Sequence, residues 1–187
     1  MALVTRPATP SRWDDLVTAM EGCGYGKICW CAFWYLPRAL YKANSAADNK
    51  AYLRGLVDRG KVPGLIGYVD GQVAGWVGVA PRARFDRLNR SVNFAPVDEQ
   101  PVWAVNCFIV LKGYRRSGLV TELAAAAADY AFAKGAPAVE GYPIEPGEKT
   151  GSGDLFVGSV AAFARAGYKE VKRPLPRRAI MRKARGT

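Results

Sequence analysis

The amino-acid sequence predicts an α/β domain built on a mixed sheet, and three stretches carry that prediction. Residues 64–69 and 72–79 are apolar runs of strand length joined by Asp70-Gly71, a pair that accepts the positive φ of a two-residue hairpin turn. Residues 102–111 are a continuous apolar run, which reads as a buried strand. A polar turn at 112–117, a helical pattern over 118–134 and a further strand at 137–142 follow it.

The remaining elements fall in order around these. Residues 1–12 read as a leading strand and a turn, with Ser11 as N-cap of a helix that begins Trp13-Asp14-Asp15-Leu16 and stops near Gly22 or Gly24. Residues 25–43 hold six aromatics, Tyr25, Trp30, Phe33, Trp34, Tyr35 and Tyr41, around Cys29 and Cys31. Helical spacing places Trp30, Phe33 and Trp34 on one face. Residues 44–60 form a helix with the apolar stripe Tyr52, Leu53, Leu56 and Val57. The prolines and arginines of 81–101 predict a surface loop. In the 118–134 helix Leu119, Leu123, Ala126, Ala127 and Tyr130 recur at near 3.6 spacing, and Gly135 ends it. A loop at 143–153, a helix at 155–165 closed by Gly167 and a last strand at 168–171 complete the chain. There is no internal repeat or linker, so residues 1–187 are expected to form one domain.

Composition narrows the chemistry. The 187 residues are 50% hydrophobic and 23% charged, and no apolar run is long enough to cross a bilayer. With no signal-peptide core at the start, a cytoplasmic location is expected, and Cys23, Cys29, Cys31 and Cys107 are expected to be free thiols. Histidine is absent, which excludes a Ser-His-Asp triad and imidazole zinc ligands. The cysteines lack a second close pair, so no metal site is expected. The net charge of +11 favours anionic partners, among them phosphorylated cofactors and nucleic acid. Residues 169–185 carry eight basic side chains against Glu170 and read as a solvated basic tail.

The turn Tyr114-Arg115-Arg116-Ser117-Gly118-Leu119-Val120-Thr121 holds what a pyrophosphate needs. A helix start offers unpaired N–H groups and a partial positive charge. Gly118 permits close backbone approach, Arg115 and Arg116 add charge, and Ser117 and Thr121 add hydroxyl donors. Gly-x-x-x-x-Gly-Lys is absent, and the single glycine is not a dinucleotide fingerprint.

From the hairpin to the end, about two thirds of its length, the chain resembles the GNAT acetyltransferase superfamily. Arg115, Gly118 and Val120 stand at the positions of that family's acetyl-CoA motif, where Val120 replaces a glycine or alanine. Asn106-Cys107-Phe108-Ile109-Val110 resembles its fourth strand, 137–142 its fifth, and Ala166-Gly167-Tyr168 its terminal signature. Cys29-Trp30-Cys31, Val102 to Phe108 and Glu140-Gly141-Tyr142-Pro143 look like a bacterial branch of undefined substrate. The resemblance implies a mostly antiparallel central sheet, splayed between strands 4 and 5 and flanked by helices. It also implies acetyl-CoA as cofactor, a cofactor-binding core over about 102–142, and an acceptor side over about 20–60.

On that resemblance, transfer of acetyl to an amine by direct attack is expected, the acceptor being a small molecule or a peptide. The protein would act as a monomer or homodimer without membrane contact. The cofactor would be held by Phe108, Ile109, Val110, Arg115, Arg116, Ser117, Gly118, Leu119, Val120, Thr121 and Ser159, and backbone N–H groups near 108–110 would polarise the thioester carbonyl. The acceptor would meet Trp30, Cys31 and Trp34. Phe163 stands where many relatives carry an acidic tyrosine, so Tyr142, Tyr168, Ser159 or a water would supply the proton. Strand alternation puts Glu140 and Tyr142 on one face of the fifth strand, as base and acid, against the plainer reading of Glu140 as an ion-pair partner of a loop arginine. Two other readings stand beside this one. A CoA-binding sensor keeps the fold without catalysis. A nucleic-acid-binding module would use the basic tail with Arg82, Arg84, Arg87 and Arg90 around Phe85.

Overall fold

A computed structural model describes residues 2–148, 150–151 and 153–186. One seven-stranded sheet runs through it in the order β1-β2-β3-β4-β5-β7-β6. The strands are β1 (Leu3–Pro7), β2 (Gly64–Val69), β3 (Gln72–Pro81), β4 (Trp103–Val110), β5 (Ala138–Gly141), β6 (Lys169–Leu175) and β7 (Arg178–Ala184). Only β4 and β5 pair in parallel, so the sheet is mixed and mostly antiparallel. The β2–β3 hairpin turns on Asp70 (φ 51°) and Gly71 (φ 77°), the left-handed pair that its sequence predicts.

Helices cover both faces. On one lie α1 (Trp13–Glu21), three short helices α2 (Gly26–Cys29), α3 (Ala32–Tyr35) and α4 (Arg38–Ala43), and α5 (Ala46–Asp58). Ser45 caps α5 in a reciprocal capping box with Asp48, an arrangement that stabilises a helix start by about 1 kcal/mol. On the other face lies α7 (Leu119–Ala133), whose buried Ala124, Ala127, Ala128 and Ala131 let it sit close to the sheet. Gly67 and Gly75 answer from the strands: an added Cβ at Gly67 would press on Leu123, and one at Gly75 would overlap the Ile109 carbonyl.

Several expectations are corrected. Ser11 does not cap α1. Residues 10–12 form a 3-10 turn, Arg12 holds the N-cap position, and the Ser11 hydroxyl meets that of Thr9 at 3.0 Å. The expected helix at 155–165 is two pieces, a 3-10 turn at Asp154–Val157 and α8 (Val160–Arg165), separated at Gly158 (φ 77°). Residues 81–101 are not a plain surface loop. They include a 3-10 turn at Arg82–Arg84 and α6 (Asp86–Asn89), with Phe85 and Leu88 fully buried. Arg82 is buried there, donating to the carbonyls of Leu88 and Phe94 and to Asn89. The basic segment 169–185 is no solvated tail but the β6–β7 hairpin. Strand β7 inserts between β5 and β6 and buries Ala179, Ile180 and Met181. Of the predicted 143–153 loop, residues 149 and 152 lie outside the described residues.

The sheet opens between β4 and β5. They pair only from Trp103–Val105 to Val139–Gly141, while β4 runs on to Val110 against β3. Two local causes are visible. The β3–β4 register shifts at Gly78/Val79, leaving Asn106 without an opposing residue. Beyond Tyr142, Pro143 has no N–H to continue the ladder, and the chain follows β7 instead, with Ala179 N–H reaching the Pro143 carbonyl.

Candidate active site

Strand alternation decides which β4 backbone groups face the opening. Leu111 N–H donates to the Ala74 carbonyl on the β3 side at 2.9 Å. Ile109, two residues earlier, therefore also turns its backbone to β3, whereas Phe108 and Val110 present N–H and C=O to the open side. The Val110 carbonyl is held there by Arg115 Nε at 3.2 Å. Of the three predicted residues, Phe108 and Val110 thus carry the cleft-facing donors. The Phe108 ring packs edge-on against Phe163 at 5.7 Å.

The turn that follows is shaped by two left-handed residues, Arg116 (φ 63°) and Gly118 (φ 87°). Arg115, Arg116, Ser117 and Gly118 are exposed. Ser117 Oγ donates to the Tyr114 carbonyl at 2.7 Å and so braces the turn itself. Gly118 is the N-cap of α7 and its carbonyl receives the N–H groups of Thr121 and Glu122. The N–H groups of Gly118, Leu119 and Val120 find no acceptor among the described residues. Leu119 is buried in the core and Val120 packs beside it, so both offer the site their backbone. Thr121 Oγ1 is buried without a partner among the described residues. Three free N–H groups, an unpaired hydroxyl and two exposed guanidiniums on one helix start fit a pyrophosphate. Ser159 caps α8, accepting from Ala162 N–H at 3.2 Å.

Glu140 and Tyr142 share a face, as alternation predicts. Glu140 is buried, and its carboxylate is fully engaged: Arg182 donates to Oε1 from Nε (3.0 Å) and Nη2 (2.7 Å), and Tyr142 OH to Oε2 (2.9 Å). The arginine comes from β7 rather than from a loop. It also binds Asp98, whose carboxyl it holds below the usual range. Burial and the Glu140 carboxylate push the Tyr142 phenol well up. Tyr168 is likewise buried, donating to the Ala124 carbonyl of α7 at 3.0 Å. Phe163 is fully buried and fills the space beside Gly141, where a Cβ would overlap its ring.

The aromatic segment is divided by left-handed backbone at Trp30 (φ 44°) and Cys31 (φ 55°), which replaces the single helical face expected there. Trp30 stacks on Trp13 at 6.2 Å under Lys50, and Cys31 Sγ accepts from Trp76 Nε1 at 3.2 Å in the core. Of the three predicted acceptor residues, Trp34 lines a cavity of about 330 Å³ with Phe33, Phe94 and several arginines. The cavity lies at the end of β5. Phe94 packs on Tyr142 at 5.5 Å, Arg178 donates to the Tyr142 carbonyl at 2.9 Å, and Trp34 packs on Phe156, next to Val157. Arg38, Arg87, Phe94 and Arg178 were not readable as a group, because they come from three segments far apart in the chain. Of the arginines around Phe85, Arg82 is buried, Arg87 lies over Phe33 at 3.9 Å, and Arg90 pairs with Asp86. All four cysteines are free thiols, and no described helix is long and apolar enough to cross a membrane.

The acetyltransferase (GNAT) family model matches residues 22–142. Among solved structures, the chain is similar to aminoglycoside acetyltransferase AAC(6')-Ib in complex with coenzyme A, with TM-score 0.60 and 16% identity over 98% of this chain and 95% of that one. It is also similar to the GNAT domain of S. lividans PAT (TM-score 0.55, 16% identity, 96% and 89% covered). An N-acetyltransferase from Staphylococcus aureus Mu50 has TM-score 0.54 at 12% identity, with 98% and 99% covered. No protein of curated function matches the sequence. With the family model covering most of the chain and the sheet opened between β4 and β5, this chain belongs to the GNAT acetyltransferase family, whose cofactor is acetyl-CoA.

Proposed function

We propose that the protein is a single-domain, cytoplasmic N-acetyltransferase that moves an acetyl group from acetyl-CoA to an amine. The observation that carries this reading is the start of α7: free N–H groups at Gly118, Leu119 and Val120 beside Arg115, Arg116 and the unpaired Thr121 hydroxyl. These groups would hold the pyrophosphate, and acetyl-CoA supplies the acetyl thioester that an amine attacks. The cleft-facing N–H groups of Phe108 and Val110 are oriented to stabilise negative charge on a carbonyl oxygen. Glu140 and Tyr142 fit a positioning role better than that of base and acid, since each carboxylate oxygen already accepts a hydrogen bond. They fix the end of β5 on which the cavity rests. The free thiols Cys23, Cys29, Cys31 and Cys107 support the cytoplasmic reading.

Calorimetric titration with acetyl-CoA, followed by thiol release across a panel of amines, tests this. Absence of acetyl-CoA binding would sink it. Binding without turnover would favour a CoA-binding sensor, a reading that the buried Phe163 at the usual acid position supports.

A further inference from the structure

The cavity at the end of β5 has an unusual polar inventory. Around its aromatic walls Phe33 and Phe94 stand Arg38, Arg87 and Arg178. The carboxylate among its described lining residues, Asp86, is already bound by Arg90 Nε at 2.8 Å. Arg38 is exposed and has no carboxylate partner among the described residues. Arg87 is held by the faces of Phe33 and Tyr41, at 3.9 and 5.2 Å, and not by an anion. Arg178 lies over Phe94 at 4.8 Å, and its one hydrogen bond goes to a neutral carbonyl. Burial pushes the guanidinium pKa of both Arg87 and Arg178 down; at Arg87 the like charge of Arg38 adds to this and Asp86 only partly offsets it, while burial alone acts on Arg178.

A second observation points the same way. Trp34 Nε1, Arg87 Nε and Arg178 Nε are buried and have no acceptor among the described residues. All three are donors, on residues that line one cavity. Buried donors without partners are costly, by about 1–3 kcal/mol each, and they make the wall of this cavity rich in donors and poor in acceptors. An ammonium group brings only donors. A carboxylate or phosphate brings only acceptors and also neutralises the arginines.

We infer that the acceptor of this enzyme is an acidic amine, with a carboxylate or phosphate held by Arg38, Arg87 and Arg178 and an apolar, ring-sized body between Phe33 and Phe94. This rests on the transferase reading only for the word acceptor; the anion site stands on its own geometry. The amine end is directed toward the β4–β5 opening, on whose edge Tyr142 anchors the cavity floor.

Two measurements separate the claims. In calorimetry on the full chain without cofactor, 4-methylbenzoate and phenyl phosphate should bind about tenfold or more tighter than 4-methylbenzylamine, the difference one charged hydrogen bond provides. Arg178→Lys should erode that preference, and so should Arg38→Gln, whose exposed side chain leaves folding untouched. A preference for carboxylate or for phosphate would name the source of the oxyanion. In thiol-release assays 4-(aminomethyl)benzoate should show a higher kcat/KM than benzylamine or p-xylylenediamine. Equal or reversed affinity for the amine probe, no binding of either anion, or faster turnover of p-xylylenediamine would overturn the inference and leave the transferase reading intact. Failure to bind acetyl-CoA would remove the transferase reading while the anion measurement still reports on the cavity.

Discussion

Tyr142 donates its hydroxyl to Glu140 Oε2 at 2.9 Å, while Arg182 covers the other oxygen of the same buried carboxylate. The two side chains that strand alternation offers as base and acid are thus bonded to each other. Arg182 ties that carboxylate on β5 to β7, and the Phe94–Tyr142 ring contact links Tyr142, one residue beyond β5, to the cavity floor.

Glu140→Gln should therefore act first on stability. Removing one partner of a buried pair leaves the other charge uncompensated, at a cost of about 3–5 kcal/mol. Asp98 retains part of Arg182, so the lower end of that range is expected. Tyr142→Phe should cost only about 1 kcal/mol and keep turnover. Urea melts and kcat on both variants check this. Unchanged stability with abolished kcat in Glu140→Gln would assign it the base role instead.

Alkali should destabilise the protein. Burial and the neighbouring Cys31 thiol raise Cys29 from 9.0 to about 12, and burial raises Tyr142 and Tyr168 above their ordinary 10.0. Between those values the unfolded chain releases protons that the folded chain keeps. Stability is then fully present below about pH 9 and falls as pH rises, by up to about 1.4 kcal/mol per pH unit for each shifted group. Denaturant midpoints at pH 8, 9 and 10 should decline in that order. A flat or rising series would contradict the burial of these groups.

The contiguous parts of this structure were legible in the sequence, and the assembled parts were not. Asp70-Gly71 and the Arg115–Thr121 turn act through local backbone geometry, so eight residues or fewer announce them. Strand β7 does not announce itself. Its buried core is Ala179, Ile180 and Met181 between basic residues, and Arg182 points inward because Glu140, 42 positions away, meets it. Residues 81–101 look like a loop because the bonds of Arg82 to the Leu88 and Phe94 carbonyls stand in for a regular ladder. Trp30 and Cys31 adopt left-handed backbone against the usual cost of about 1–2 kcal/mol for such residues, and no sequence pattern marks that. The cavity shares this property: its arginines converge only after folding.

Gly141→Ala should close or distort the β4–β5 opening. A methyl there overlaps the buried Phe163 ring, which is itself wedged against Phe108 and Tyr168. Overpacking of this kind costs about 1–3 kcal/mol. The double variant Gly141→Ala/Phe163→Leu should recover part of that loss, which thermal melts of the two variants would show. Additive losses would place the strain elsewhere.

Thr121→Val separates cofactor binding from folding at the start of α7. In the free protein the Thr121 hydroxyl is buried without a partner, so replacing it with a methyl of similar shape should be neutral or mildly stabilising. If that hydroxyl serves the pyrophosphate, acetyl-CoA affinity should fall about tenfold, the equivalent of one charge-assisted hydrogen bond. Gly118→Ala should weaken both, because its φ of 87° strains any side chain although nothing crowds the added Cβ. Arg115→Glu, an exposed charge reversal, should leave the melt unchanged and weaken binding most at low salt, where screening is least. Calorimetric titration beside thermal melts reads all three. Unchanged acetyl-CoA affinity in Thr121→Val and Arg115→Glu together would move the phosphate site away from this helix.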